Sequence, residues 1–322
     1  MKKRKLIAGT ILAAVIIFIL YRQIDFEKFQ SLSFKIDYTL MVAAFTLYVG
    51  SSLIRAKRFN YLLDNGVKLI DMFKITSLYN LYTGLLPGGI GELSFVYLLR
   101  KKVEGSVPAA FSSVIITRIH DIFIMAVFLL ISLLIVGNAE VTKAEYVMIF
   151  AVIIIMLFLI RYIDLIINTI NKTLSLVIRH GSFLLNTIEH LSRVGRIMRV
   201  NRDKSLSLLF VSASYWVVNS FIVQLLFRSM GVNLGYFEAV LMTAITIFVS
   251  IIPFNTLGGF GYKEAGITLG LMFIMVDKNS AIFYSFLFHL LSLGFMFALA
   301  TLGMLTDVKL TKVRELFKMA DS

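Results

Sequence analysis

The chain has 322 residues, 58% of them hydrophobic, a mean hydropathy of +0.86 and a formal net charge of +13. Soluble domains run at roughly 45–50% apolar, and apolar segments recur here from residue 6 to residue 305, which leaves no room for a separate large soluble domain. The absence of cysteine excludes disulfides, thiolate metal sites and cysteine nucleophiles.

The N-terminus begins with Lys2, Lys3, Arg4 and Lys5, followed by an apolar run from Leu6 to Leu20. Tyr21-Arg22-Gln23 offers no small-residue cleavage site, so this segment reads as a retained first helix rather than a signal peptide. Six apolar segments read as full spans of ~20 residues: Leu6–Tyr21, Tyr38–Ile54, Ala109–Val136, Tyr146–Ile160, Leu206–Phe227 and Ala281–Leu305. Between them lie two broken segments, 75–99 and 239–276. The first is interrupted by Leu86-Pro87-Gly88-Gly89-Ile90-Gly91-Glu92, the second by Thr256-Leu257-Gly258-Gly259-Phe260-Gly261-Tyr262-Lys263-Glu264. Irregular backbone at membrane depth is tolerated only where protein buries it or a polar cavity adjoins it.

The arms of the first break are too short to cross a core of roughly 30 Å at ~1.5 Å per residue. Cytoplasmic loops collect Lys and Arg. Two re-entrant hairpins and an inside N-terminus place the basic residues of 1–5, 55–74, 100–102, 161–204 and 309–318 on the inner side. Only Arg22, Lys28, Lys35, Lys143, Arg228 and Lys278 then fall outside. The second hairpin has a longer first arm, but Asn255–Tyr262 carries no positive charge to mark a cytoplasmic loop. The expected fold is therefore an all-α polytopic membrane protein. It has six full transmembrane helices, two re-entrant helical hairpins arranged as an inverted repeat, and both termini cytoplasmic. Residues 1–322 form one integral membrane domain: a first half (1–160, hairpin 75–99), a basic linker (161–204) and a second half (205–322, hairpin 239–276).

In the linker, Ile163, Ile167, Ile170, Leu174, Val177, Leu184, Ile188, Leu191 and Val194 recur at helical spacing apart from one gap around Gly181. This suggests amphipathic helices on the cytoplasmic leaflet, whose basic face would attract anionic lipid. A structural linker with solvated charges fits the same pattern. The positive charge is thus accounted for by a membrane surface, and no nucleic-acid partner is expected.

Charges at membrane depth are rare and face a cavity or a partner. Glu92, Arg118, Asp121, Lys263 and Glu264 are such charges, with His120 and His289 as titratable neighbours. Glu92 and Glu264 each follow a glycine break. Each either caps the half-helix it opens or faces a cavity. Arg118 and Asp121, three apart, share a helix face. They either neutralise each other or leave Arg118 free for a lipid phosphate, which its planar fork suits. His120 points away from both and reads as packing. Lys263 could bind phosphate or snorkel to the outer interface. The N–H groups of Gly88–Gly91 and Gly258–Gly261 could cradle an anion. Neither loop is a Walker motif, so no nucleotide is expected. The histidines are not at metal-ligand spacing, and no metal or other cofactor is expected.

Taken together, Asn80, Pro87, Gly91, Glu92, Arg118, Asp121, Gly258, Gly259, Gly261 and Glu264 resemble a pattern of Asn, Pro-x-x-x-Gly-Glu, Arg-x-x-Asp and a late Gly-Gly-x-Gly-x-x-Glu. That pattern is the one of the lysylphosphatidylglycerol synthase transmembrane region family, the flippase-like domain of the multiple peptide resistance factor. The family often carries a basic residue inside the Pro-Gly-Glu turn, where this chain has Gly88, Gly89 and Ile90. The resemblance implies spanning helices with re-entrant segments and a role in moving lipids between leaflets. The chain ends at Ser322 after a short basic tail, so the soluble lysyltransferase domain of the resistance factor is not expected.

The expected function is a plasma-membrane lipid translocase. A phospholipid or lipid-linked headgroup would pass through a polar cavity between the halves, by passive or ion-coupled movement, with Arg118 engaging phosphate, Glu92, Asp121 and Glu264 engaging a cationic or hydroxylated headgroup, and Lys263 among the binding residues. A proton on Glu92 or Glu264 would supply such coupling. An enzyme is not expected from these motifs. The alternatives are a lipid-modifying enzyme of phosphatidylglycerol lysyltransferase type, or the membrane subunit of a separate lipid-modifying enzyme, and a non-catalytic scaffold.

Overall fold

The computed structural model describes residues 36–63, 66–86, 90–100, 107–136, 201–250 and 260–305, with scattered positions between 147 and 192. Among these residues the chain is helical and forms no strand. Leu6–Tyr21, most of the 161–204 linker, and the turn residues Pro87, Gly88, Gly89, Gly258 and Gly259 lie outside the described residues, and Tyr146–Ile160 is described only in part.

Among the described residues eight helices are delimited. α1 is Tyr38–Leu62, α2 Leu69–Leu85, α3 Ile90–Arg100 and α4 Val107–Val136. α5 is Arg202–Ser229, α6 Tyr236–Ser250, α7 Tyr262–Phe273 and α8 Lys278–Leu305. α1 opens on Asp37, whose carboxylate accepts from the N–H groups of Thr39 (2.9 Å) and Leu40 (3.2 Å), and α5 on Asn201, which accepts from the Lys204 N–H (3.0 Å); side chains thus satisfy donors that a helix start leaves orphaned. α1 continues past Ile54, where the apolar run ends, because no Gly or Pro stands between Gly50 and Gly66.

Among the described residues four helices are long and apolar enough to cross a membrane: Tyr38–Leu62, Val107–Val136, Asp203–Ser229 and Lys278–Gly303. The hairpin arms are not. With 17, 11, 15 and 12 residues, they run about 16–26 Å at helical rise.

α1 and α5 pack antiparallel along their whole length. The Asp37 N–H donates to the Ser229 carbonyl (2.8 Å) at one end, Asn219 donates to Ser51 (2.9 Å) in the middle, and Lys204 sits over the Tyr61 ring at the other end. α2 and α3 form one hairpin beyond the C-terminus of α1, and α6 and α7 form another beyond the C-terminus of α5. Because α1 and α5 run oppositely, the two hairpins enter the bundle from opposite ends. The remaining contacts repeat under exchange of the halves. α1 packs on α2 as α5 does on α6, and α3 on α4 as α7 does on α8. The first arm of each hairpin also packs on the last helix of the other half: α2 on α8, and α6 on α4.

The arms close on glycine. A Cβ at Gly91 would lie 2.6 Å from the Thr83 Cα, and one at Gly266 would lie 2.6 Å from the Thr246 Cα. Gly270 meets Met242 in the same way, one turn further along α7. Backbones this close leave no room for a side chain, and small residues are what let apolar helices approach in this manner.

The long helices turn large apolar side chains outward, among them Val42, Leu134, Phe210, Leu290, Phe297 and Leu302. Inside lie Arg58, Asn80, Asp121, Gln224, Glu264 and His289. In water the outward apolar side chains would stay hydrated and add nothing to the hydrophobic driving force. The arrangement is stable when the solvent around the bundle is hydrocarbon.

Candidate functional site

The arms of both hairpins line one cavity of about 580 Å³. α2 and α3 bring Thr83, Gly84, Gly91 and Glu92 to its wall; α6 and α7 bring Thr246, Ser250, Tyr262 and Lys263. The long helices contribute Arg55, Arg118, Asp121, Tyr215, Trp216 and Asn219. Ile222, Leu226, Phe288 and Phe295 are among the apolar residues that line the rest, together with Tyr48, Thr243 and Ser292.

Glu92 sits in the first turn of α3, where the positive end of the helix dipole and the free N–H groups favour a carboxylate. It also holds an ion pair with Arg118 of α4 and accepts a hydrogen bond from the Tyr79 hydroxyl of α2. Arg118 borders the open cavity and keeps 45% of its side chain exposed, against 26% for Glu92. The pair is therefore formed and still reachable.

Asp121 does not pair with Arg118. The i, i+3 spacing puts both on one face of α4, but the neighbouring helices supply closer partners. Asp121 takes both prongs of Arg58 from α1, with Nη2 donating to Oδ2 at 3.3 Å, and accepts from the Trp216 indole N–H of α5 (2.8 Å). Ser212 lies 3.4 Å from the same guanidinium. Arg58 is buried, with 1% of its side chain exposed.

Arg55 and Arg58 are functional neighbours that the sequence reading places in a cytoplasmic loop. The added turns of α1 carry them into the bundle. Arg55 donates to the Asn80 side-chain oxygen (2.7 Å) and lies 4.7 Å over the Tyr79 ring. Asn80 itself does not reach the cavity wall; it positions Arg55, which does. The signal that marks these arginines is their spacing of three on a helix that already carries Ser51 and Ser52 on its inner face.

Glu264 differs from Glu92. It caps its own helix, accepting from the Gly261 N–H (2.7 Å), and pairs with His289 of α8. Only 4% of its side chain is exposed, and it is absent from the cavity wall. Gly261 adopts φ +105° to allow this cap, a conformation that glycine reaches without steric cost. Its N–H is thus occupied rather than free for an anion. The two carboxylate–base pairs are nevertheless counterparts: Glu92 on α3 meets Arg118 on α4, and Glu264 on α7 meets His289 on α8. Arg118 and His289 stand at the same distance from the starts of their helices, Val107 and Lys278.

Lys263 lines the cavity and makes no hydrogen bond or ion pair with any described residue. His120 is buried beside Ile116, with Nδ1 2.8 Å from that carbonyl, and takes no part in the cavity. Among the described residues no group of three metal-ligating side chains is brought together.

Residues 6–300 match the family described as Lysylphosphatidylglycerol synthase TM region, and the chain belongs to that family. The family and the long apolar helices make it a multi-pass membrane protein linked to lipid modification. Comparison with curated proteins and with solved structures gave no match.

Proposed function

We propose that this member of the family is a lipid translocase of the plasma membrane, passing a phospholipid or lipid-linked headgroup between leaflets through the cavity. The observation that supports this reading is that the arms of two hairpins, entering from opposite ends of the bundle, line one charged cavity. In a membrane these are two re-entrant hairpins of an inverted repeat, flanked by six spans with both termini cytoplasmic. Such a repeat places a site near the midplane, where tilting one half against the other exposes it to either side. A volume of about 580 Å³ lies within the roughly 300–1,000 Å³ range of ligand sites. It suits a headgroup, with the acyl chains left in the bilayer.

In this mechanism Arg118 takes the phosphate, exchanging Glu92 for it. Glu92, released, accepts from a hydroxyl or ammonium group of the headgroup. Asp121 holds Arg58 and Trp216 in place rather than touching the cargo, and Asn80 does the same for Arg55. Glu264 sets the start of α7 and so the position of Lys263.

The test is leaflet-resolved movement of fluorescent lipids in proteoliposomes. Wild type moves lipid, and Glu92→Gln and Arg118→Ala each abolish movement. Unchanged rates in both variants would sink the mechanism.

The family description supports a second reading, in which the chain modifies lipid, alone or with a separate catalytic subunit. A new lipid mass in expressing cells, absent from the Glu92→Gln strain, would favour it over transport.

A further inference from the structure

Four cations stand at or directly behind the cavity wall: Arg55, Arg58, Arg118 and Lys263. Two carboxylates oppose them, and each is already engaged, Asp121 by Arg58 and Glu92 by Arg118. Arg55 donates to an amide oxygen and lies over aromatic rings, and Lys263 makes no hydrogen bond or ion pair with a described residue. The segments joining the hairpin arms, 87–89 and 251–259, contain no charged residue to offset them. Glu264, next to Lys263 in the chain, turns its carboxylate to His289 and the Gly261 N–H. Among the described residues, Arg55 and Lys263 thus stand at the cavity wall with no carboxylate in ion-pair contact.

Uncompensated charge inside a membrane protein is costly and faces its counter-charge when the site is filled. A zwitterionic headgroup brings no net charge, and a cationic one adds to the excess. A phosphate monoester brings about −1.5 to −2 at pH 7 and three acceptor oxygens. Those oxygens match a guanidinium fork and a point ammonium placed on different walls. The apolar lining of Ile222, Val223, Leu226, Ile267, Phe288 and Phe295 calls for an amphiphile rather than a free ion.

We infer that the cavity selects a lipid ending in a phosphate monoester, bound between Arg118 of the first half and Lys263 of the second, with Arg55 supplying the remaining charge. The inference rests on the translocase reading only in taking the cavity as the cargo site.

Trp216, the single tryptophan, lines the cavity and reports on its filling. Its fluorescence is followed in the purified full chain as dihexanoyl phosphatidate, dihexanoyl phosphatidylcholine or inorganic phosphate is added, with Trp216→Phe as the silent control. Phosphatidate gives a saturable change at a midpoint about tenfold or more below that of phosphatidylcholine. Lys263→Gln raises the phosphatidate midpoint about tenfold, the effect of one lost charge-assisted bond, and leaves phosphatidylcholine unmoved. Lys263→Arg stays near wild type. Equal midpoints for the two lipids, or a Lys263→Gln midpoint equal to wild type, would overturn the inference, as would no response to phosphatidate. Inorganic phosphate matching phosphatidate would overturn the lipid assignment. Selective phosphatidate binding without lipid movement in vesicles would leave the charge inference standing and remove the translocase reading. Equal movement of phosphatidate and phosphatidylcholine would do the reverse.

Discussion

Asp121 of α4 grips Arg58 of α1 through both carboxylate oxygens, 63 residues apart in the chain and shut away from solvent. With Trp216 as a third member, the cluster ties α1, α4 and α5 together at the cavity wall. Removing one partner of a buried pair leaves the other charge stranded and costs about 3–5 kcal/mol, whereas replacing both with apolar groups is often neutral. Arg58→Ala and Asp121→Ala are each expected to lower the unfolding midpoint in detergent by several degrees. Arg58→Met with Asp121→Leu is expected to recover most of the loss. A double variant no more stable than the singles would show that the pair is not an isolated unit.

The hairpins hold by backbone contact, and glycine substitutions should sort accordingly. Gly91→Ala and Gly266→Ala each drive a Cβ to 2.6 Å from a backbone Cα on the opposing arm. Overpacking of this kind costs about 1–3 kcal/mol. Gly294→Ala meets nothing within 4 Å and should be neutral or slightly stabilising, since alanine is the better helix former by about 1 kcal/mol. Thermal unfolding of the three variants in one detergent checks the ranking. Equal midpoints for Gly266→Ala and Gly294→Ala would contradict the close contact.

The hairpins and the charged positions are legible in the sequence because glycine and proline punctuate apolar runs, and because charges at membrane depth stand out against them. Pairing is less legible. Helix spacing puts Arg118 beside Asp121, but which carboxylate a guanidinium meets depends on the packing of other helices, and here α3 and α1 supply the partners. Arg55 and Arg58 are hidden for a different reason. Hydropathy ends the span at Ile54, while the helix itself runs to Leu62. Two turns of helix separate a cytoplasmic arginine from one at the cavity.

Glu92 and Glu264 hold matching places in the two halves and should fail differently. The Glu92–Arg118 pair borders the open cavity, where an ion pair contributes about 0.2–1 kcal/mol. Glu92→Gln is therefore expected to leave the unfolding midpoint within about 2 °C while abolishing lipid movement. Glu264→Ala leaves His289 and the Gly261 N–H without a partner inside the protein. It should cost about 3 kcal/mol or more, with any loss of transport following the loss of folded protein. Measuring midpoint and transport on the same preparations separates the two. Matching profiles for both variants would show that the halves use their carboxylates alike.

The absence of cysteine makes the hairpin topology directly testable by single-cysteine labelling. Lys68 and Arg100 flank the first hairpin at its open end, and both are exposed. Asn233 and Met275 flank the second and are also exposed, Met275 at 84%. If both hairpins are re-entrant, Lys68→Cys and Arg100→Cys react with an impermeant maleimide from one side of sealed inverted vesicles. Asn233→Cys and Met275→Cys react only from the other. The positive-inside distribution assigns the first pair to the cytoplasmic face, which is the outer surface of such vesicles. Labelling of Lys68→Cys and Arg100→Cys from opposite faces would mean that α2 and α3 together cross the bilayer. The two halves would then not be inverted, and alternating access around a shared midplane site would lose its structural basis.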